Sequence, residues 1–240
     1  MLKRRYIVFM SAKKAVAIIP ARGGSKRIPR KNIKFFHGKP LISYSIEALK
    51  NSNLFDHIYV STDDMEISEV AISLGAEVPF LREPSLSGDK ILTVPVISDF
   101  ISRIKIPDDN VVCCAYATAP LMQSTDLITG FRELSSELNP DYVCAVSKYG
   151  YPIQRALYLK NGLMNMFSPE NLELFSQQLE DRYHDAGQFY FALAKTWVSL
   201  KPMLVNTKGI ELPSWRVQDI DTIEDWERAE ILYKIINSKK

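Results

Sequence analysis

The chain has 240 residues, 46% apolar, 24% charged and 10% aromatic, a mixture that builds an ordinary globular core and excludes the disordered and fibrous classes. Its 30 basic and 28 acidic side chains leave a net charge of +2, too near neutral to make nucleic acid or a membrane surface an obligatory partner. No apolar run approaches the roughly 20 residues that span a bilayer, and the apolar stretch 6–10 is too short for a signal-peptide core, so a cytoplasmic location is expected.

Met10 opens a shorter reading frame, and residues 1–12 are read as a dispensable extension ahead of one domain over 13–240. A first strand at 14–20 runs into a Gly-rich basic loop. A helix at 40–50 follows, with Pro40 suited to its first turn. The pattern then predicts a strand at 57–62, a helix capped by Asp63 or Asp64 and ending near Gly75, a short third strand at 77–81, and a helix at 94–104. A buried strand at 110–116, a helix at 126–138 and a strand at 141–146 complete the alternation. Strands alternating with helices predict a three-layer α/β/α architecture around a mostly parallel sheet.

Near Gly150 the rhythm changes. Segments 154–160 and 163–167 flank Asn161-Gly162, the pair that gives a two-residue hairpin turn its twist. The polar stretch 168–182 leaves the core, so 150–182 is read as a projecting arm, used for a homodimer contact. A strand at 189–193 and a final helix at 222–237 follow, with Ile223, Trp226, Ala229, Tyr233 and Ile236 on one stripe. Cys113, Cys114 and Cys144 lie in apolar strand contexts without metal-ligand spacing, which predicts buried, reduced thiols.

Residues 20–40 hold Arg22, Lys26, Arg27, Arg30, Lys31, Lys34 and Lys39 and no acid, against a chain average of 30 basic residues in 240. The loop follows the first strand of an α/β pattern, and open α/β sheets bind ligands beyond the carboxyl ends of their strands. Gly23 and Gly24 admit close backbone approach, Ser25 offers a hydroxyl, and the cations neutralise charge. A polyphosphate is the natural ligand; a solvated charged loop is the alternative. Neither G-x-G-x-x-G nor G-x-x-x-x-G-K-[ST] occurs, so this is neither a dinucleotide loop nor a P-loop.

Asp219 and Asp221, two apart on an extended segment, put both carboxylates on one face, roughly 6–7 Å apart at the backbone. They could share one divalent ion. Alternatively, Asp221 caps the last helix with Glu224 three residues on, which leaves Asp219 unexplained.

The run Ile19-Pro20-Ala21-Arg22-Gly23-Gly24-Ser25-Lys26-Arg27-Ile28-Pro29-Arg30-Lys31-Asn32 resembles the nucleotide-binding signature of the acylneuraminate cytidylyltransferase family. Val60-Ser61-Thr62-Asp63, Phe80-Leu81-Arg82 and Asp219-Ile220-Asp221 continue the resemblance, which spans 14–238. It implies a Rossmann-like nucleotide-diphospho-sugar transferase fold and a reaction in which CTP and a nonulosonic acid give a CMP-sugar and diphosphate. It further implies that Ala21, Arg22, Gly23, Gly24, Ser25, Lys26, Lys31, Asn32, Arg82 and Thr93 bind CTP, and that Asp219 and Asp221 bind Mg²⁺. Arg22, Lys31 and the two aspartates are the implied catalytic set. For Arg82 the alternative is a surface ion pair with Glu83 or Asp89, and for Thr93 a helix cap.

On the sugar side the chain departs from the sialic-acid enzymes. Where those carry L-Q-P-T-S-P-L-R, it has Ala115-Tyr116-Ala117-Thr118-Ala119-Pro120-Leu121-Met122. With Tyr183-His184-Asp185-Ala186-Gly187-Gln188-Phe189-Tyr190, this segment resembles the pseudaminic acid branch. The resemblance implies sugar contacts from Tyr116, Thr118, His184, Asp185, Gln188 and Tyr190. Tyr and Met in place of a polar pair suit a less polar, deoxy sugar; the alternative is that Tyr116 and Met122 only pack the sheet. Rival readings are CMP-N-acetylneuraminate or CMP-legionaminate synthesis and a non-catalytic nucleotide-binding protein.

Overall fold

The computed structural model describes residues 15–238; the extension expected at 1–12 lies outside them. In chain order the elements are β1 (Ala15–Pro20), a short pair β2 (Phe35–Phe36) and β3 (Lys39–Pro40), α1 (Leu41–Ser52), β4 (His57–Ser61), α2 (Met65–Ser73), α3 (Thr93–Ile104), β5 (Val111–Ala115), α4 (Ser124–Glu133), β6 (Tyr142–Lys148), a hairpin of β7 (Leu157–Lys160) and β8 (Leu163–Met166), β9 (Tyr183–Leu193), α5 (Ala194–Val198), β10 (Thr207–Glu211) and α6 (Ile223–Ser238). Six strands form one sheet in the order β10-β6-β9-β5-β1-β4. β1 runs parallel to β4 and β5, and β6 to β10, while β9 is antiparallel to both neighbours. The mostly parallel sheet is as the alternation predicts.

β1 illustrates the layering. Its odd residues Ala15, Ala17 and Ile19 enter the core shared with α1, α2 and α4, and its even residues Val16 and Ile18 enter the core shared with α3 and α5. A strand covered on both faces must be apolar throughout, and this one is. The three cysteines are free and buried within these cores. A third cluster seals the C-terminal end: Trp226 and Tyr233 of α6 and Tyr44 of α1 all meet the Phe36 ring edge-on. Among the described residues no helix is long and apolar enough to cross a membrane.

Several expectations change. The segment 77–81 is no strand: Glu77 makes one bridge to Tyr59, and Pro79, lacking an N–H, cannot extend a ladder. Pro40 sits at the cap of α1 and not inside its first turn. α4 stops at Glu133, not 138, as its end tightens into three-residue bonds such as Ser135 N–H to Arg132 O and Asn139 turns with φ +45°. β9 starts at Tyr183, six residues before the apolar signal, because its polar first half pairs with β6, Tyr183 opposite Lys148, His184 opposite Ser147 and Asp185 opposite Val146. Edge strand β10, with Thr207, Lys208 and Gly209, carries no period-two pattern. Asn161 and Gly162 both have positive φ, as the hairpin reading requires.

Candidate active site

The loops after the parallel strands β1 and β5, the connection from α2 to α3 and Asp221 enclose a cleft of about 520 Å³ at the carboxyl ends of those strands. Of the residues the sequence singles out, Arg22, Ser25, Lys26, Lys31, Asn32, Arg82, Thr93, Tyr116, Thr118 and Asp221 line it together.

The basic loop is held by two backbone anchors and one of its cations, Arg30. Gly23 N–H donates to Asp63 Oδ1 at 2.9 Å, and the Asn32 amide donates to the Arg22 carbonyl at 2.9 Å. Arg30, at φ +57°, forks onto Asp64 and reaches Glu66 at 2.5 Å. That guanidinium holds the Asp64 carboxyl below its usual range, and Asp64 in turn caps α2 through Ile67 N–H at 3.0 Å. Glycine at 23 is required: a Cβ there would lie 2.5 Å from Asp64 Oδ2. Gly24 has open space around its Cα, Ser25 N–H turns back onto the Gly23 carbonyl at 3.0 Å, and Ala21 is buried behind the loop with its N–H on Ser61 O. Arg22, Lys26, Arg27 and Lys31 line the cleft, whereas Lys34 lies over the Trp226 ring and Lys39 pairs with Glu47. Arg22 and Lys26 meet on Asp89, at 2.6 and 2.5 Å, so an acidic side chain bridges two of the predicted phosphate ligands.

The acidic pair comes from the far end of the chain. Ile220 is fully buried, while Asp219 is exposed and Asp221 half-buried on either side of it. Lys31 Nζ donates to the Ile220 carbonyl at 2.5 Å and lies 3.2 Å from Asp221 Oδ1, while Arg27 lies 2.8 Å from Asp221 Oδ2. Asp221 does not cap α6. Thr222 and Asp225 do so reciprocally, the Thr222 hydroxyl accepting from Asp225 N–H and the Asp225 carboxylate from Thr222 N–H. No ion pair among the described residues uses Asp219. Its carboxyl reaches solvent, yet the surrounding protein pushes its pKa up, helped by the charges of Asp221, Asp185 and Asp225 and opposed by Lys31. Gly187, at φ +62°, faces it, and a Cβ there would lie 3.4 Å from the Asp219 side chain.

Arg82 makes neither of the surface pairs considered for it. Its side chain is 4% exposed, within 3.7 Å of Asp63 and 3.3 Å from the Ser87 hydroxyl, and burial lowers its pKa. Thr93 opens α3 without capping it, and its hydroxyl lies 3.1 Å from that of Tyr116. Of the residues expected to contact the sugar, His184, Asp185 and Tyr190 are not among those lining the cleft; Tyr190 is buried and donates to Asp185, which also accepts from Gly187 N–H at 2.8 Å. His184 lies beside Tyr149, with Nδ1 2.8 Å from the Asp185 carbonyl. Gln188 is not brought into the cleft: it is 2% exposed and its amide nitrogen donates to the Arg216 carbonyl. Met122 packs in the core, whereas Tyr116 lines the cleft. The two halves of the Y-A-T-A-P-L-M segment thus follow different readings.

Sequence reasoning missed Asp63 as the anchor of Gly23 and Asp89 as the partner of Arg22 and Lys26. Asp63 sits in a motif that carries the resemblance, so a signal existed; Asp89 lies in an irregular loop and has none.

A family model described as "Cytidylyltransferase" matches residues 16–236. The chain is 45% identical over 229 residues to pseudaminic acid cytidylyltransferase of Campylobacter jejuni subsp. jejuni serotype O:2, covering 92% of this chain and 97% of that relative. It is 28% identical over 242 residues to the CMP-N,N'-diacetyllegionaminic acid synthase of Legionella pneumophila subsp. pneumophila, covering 92% and 96%. Among solved structures, CMP:2-keto-3-deoxy-manno-octonic acid synthetase complexed with CTP superposes with a TM-score of 0.69 at 16% identity, over 92% of this chain and 99% of that one. That likeness establishes a shared fold.

Proposed function

The chain belongs to the acylneuraminate cytidylyltransferase family, and on that premise we propose that it converts CTP and pseudaminic acid to CMP-pseudaminic acid and diphosphate. The observation that carries the reading is the junction of Lys31 with Asp221, 3.2 Å apart though separated by almost the whole chain. It makes the cationic loop and the acidic pair one site, and one ligand suits both: a metal-bound nucleoside triphosphate. The 45% identity to a pseudaminic acid enzyme supports the choice of sugar.

Asp219 and Asp221 fit Mg²⁺ by donor chemistry: two hard carboxylates flanking a buried Ile220, one of them disfavoured as an anion by its surroundings and by like charge that a cation relieves. Bound there, Mg²⁺ supplies charge neutralisation of phosphate oxygens. Arg22, Ser25, Lys26 and Lys31 bind and orient the triphosphate, releasing Asp89 and Asp221 from their present ion pairs. The anomeric oxygen of the sugar forms a bond to the α-phosphorus as the bond to the β-phosphate oxygen breaks. Diphosphate leaves with the electron pair, and the hydroxyl proton passes to solvent or a nearby base. Catalysis is positioning and charge neutralisation, with no covalent enzyme intermediate. Asp185, fixed by Tyr190 and Gly187, is the best-held group facing the sugar.

A homodimer belongs to the same reading. β7 and β8 form a sheet of their own, exposed on nearly every residue, and such a hairpin is marginal alone. Tyr151, Leu163 and Phe167 of this arm are 71–87% exposed, apolar surface that a second copy would cover.

The test is product formation with CTP, Mg²⁺ and pseudaminic, N,N'-diacetyllegionaminic or N-acetylneuraminic acid, the product identified by mass. CMP-pseudaminic acid should form fastest and EDTA should stop it. Preference for another sugar would overturn the substrate, and CTP binding without diphosphate release would overturn catalysis.

A further inference from the structure

Tyr116 is held more tightly than a residue that only lines a cleft needs to be. It follows β5 directly; its N–H donates to the Gln188 carbonyl at 2.9 Å and its carbonyl accepts from the buried Ser45 hydroxyl at 2.7 Å. Its ring meets Tyr190 edge-on with centroids 6.2 Å apart, and the Tyr190 hydroxyl is committed to Asp185. With backbone and ring both fixed, the phenol reaches Thr93 Oγ1 at 3.1 Å. Burial raises the pKa of that phenol well above 10, so it remains an O–H at any working pH.

Two hydroxyls in contact use one hydrogen between them and leave one to offer elsewhere. Thr93 and Tyr116 both line the cleft, which also takes the apolar Ile91, Leu92 and Val96 and the Arg82 guanidinium from the α2–α3 connection and α3, and the phosphate-type cations Arg22 and Lys26 from the basic loop. A cleft that joins apolar side chains and one fixed hydroxyl pair to such cations suits a flat base bearing ring acceptors with phosphates attached.

We propose that Tyr116 is a positioning residue of the nucleotide half of the site, its hydroxyl orienting that of Thr93 so that a single O–H donor meets the pyrimidine base of the triphosphate. This rests on the CTP reading above and departs from the expectation that Tyr116 serves the sugar. A fixed donor also discriminates: cytosine presents an acceptor at N3, uracil an N–H.

The experiment is calorimetric binding of CTP and of UTP, each with Mg²⁺ and without sugar, alongside KM for pseudaminic acid. Tyr116→Phe and Thr93→Val should each weaken CTP binding by about five- to tenfold. The double variant should be no weaker than the worse single, because both remove the same contact. UTP affinity and the sugar KM should hold, so the CTP preference over UTP shrinks, and Thr93→Ser should retain wild-type CTP affinity. An unchanged CTP affinity with a raised sugar KM, or additive losses in the double variant, would overturn the proposal; if Tyr116→Phe does not fold, Thr93→Ser binding CTP as weakly as Thr93→Val would do so. Binding is measured without sugar, so wild-type protein that gives this pattern but no CMP-sugar would sink the proposed function and leave this inference standing.

Discussion

The cleft and the projecting arm solve opposite problems with the same chain. Around the cleft nearly every charge has an internal counterpart: Arg30 on Asp64, Arg22 and Lys26 on Asp89, Arg27 and Lys31 on Asp221. In the arm the large apolar side chains find no such partner, and Phe167 and Phe175 stand 74% and 68% exposed. The residue choices of the cleft are therefore explained from within one chain, apart from the ligand that replaces its acids. The apolar side chains of the arm stay exposed in the single chain, and the proposed second copy would cover them.

Substitutions should separate the two regions. The largest effect belongs to the acidic pair: Asp219→Ala with Asp221→Ala should lower the rate of diphosphate release by about a hundredfold or more, the scale of losing a transition-state charge contact, while leaving the mass in solution unchanged. Turnover within tenfold of wild type would remove these residues from the reaction. Next comes Gly23→Ala, whose Cβ cannot coexist with Asp64 at 2.5 Å; the loop must move, and CTP affinity should fall by about ten- to a hundredfold on loss of several charge-assisted contacts. An unchanged dissociation constant would mean that the loop's position is not set by Asp63 and Asp64.

The arm gives the converse result. Light scattering should find about twice the 27.3 kDa chain mass, and Phe167→Ser with Phe175→Ser should return it to the monomer with CTP binding within about threefold of wild type, as expected for sites without shared partners. A wild-type monomer would break the comparison outright.

The smallest effect sharpens the cleft alone. The Asp219 pKa is raised in the folded state, so its contribution to stability is fully present below the unfolded value and is lost as pH rises through the raised one. Asp219→Asn should therefore raise the melting temperature by about 2 °C at pH 7, the gain vanishing toward pH 3, while turnover falls. A lower melting temperature at pH 7 would contradict the like-charge crowding at this site.

The chain is a cytidylyltransferase, and most of that was legible in order along it. β1, α1, α3 and the 157–166 hairpin follow from apolar periodicity and Asn161-Gly162, which are local signals. The basic loop could be read because seven cations without an acid are a local composition. What failed was nonlocal: β10 carries no apolar alternation and is a strand through its pairing with β6, and the polar first half of β9 extends that strand through its own pairing with β6. Asp89 gave no usable sign, and Asp63 only its place in the Val60-Ser61-Thr62-Asp63 motif, since their roles depend on which cation or amide the fold brings within 3 Å.

The sequence by itself determined the inventory: a near-neutral chain carrying a cationic loop near one end and an acidic pair near the other, with a mostly parallel sheet between. Only the tertiary structure decided that Lys31 and Asp221 meet, that Thr222 rather than Asp221 caps α6, and that of Tyr116 and Met122 one faces the cleft and the other the core. Periodicity reports which face of an element is buried, whereas which distant side chains share a cleft is fixed by sheet order and by the directions in which each loop leaves its strand.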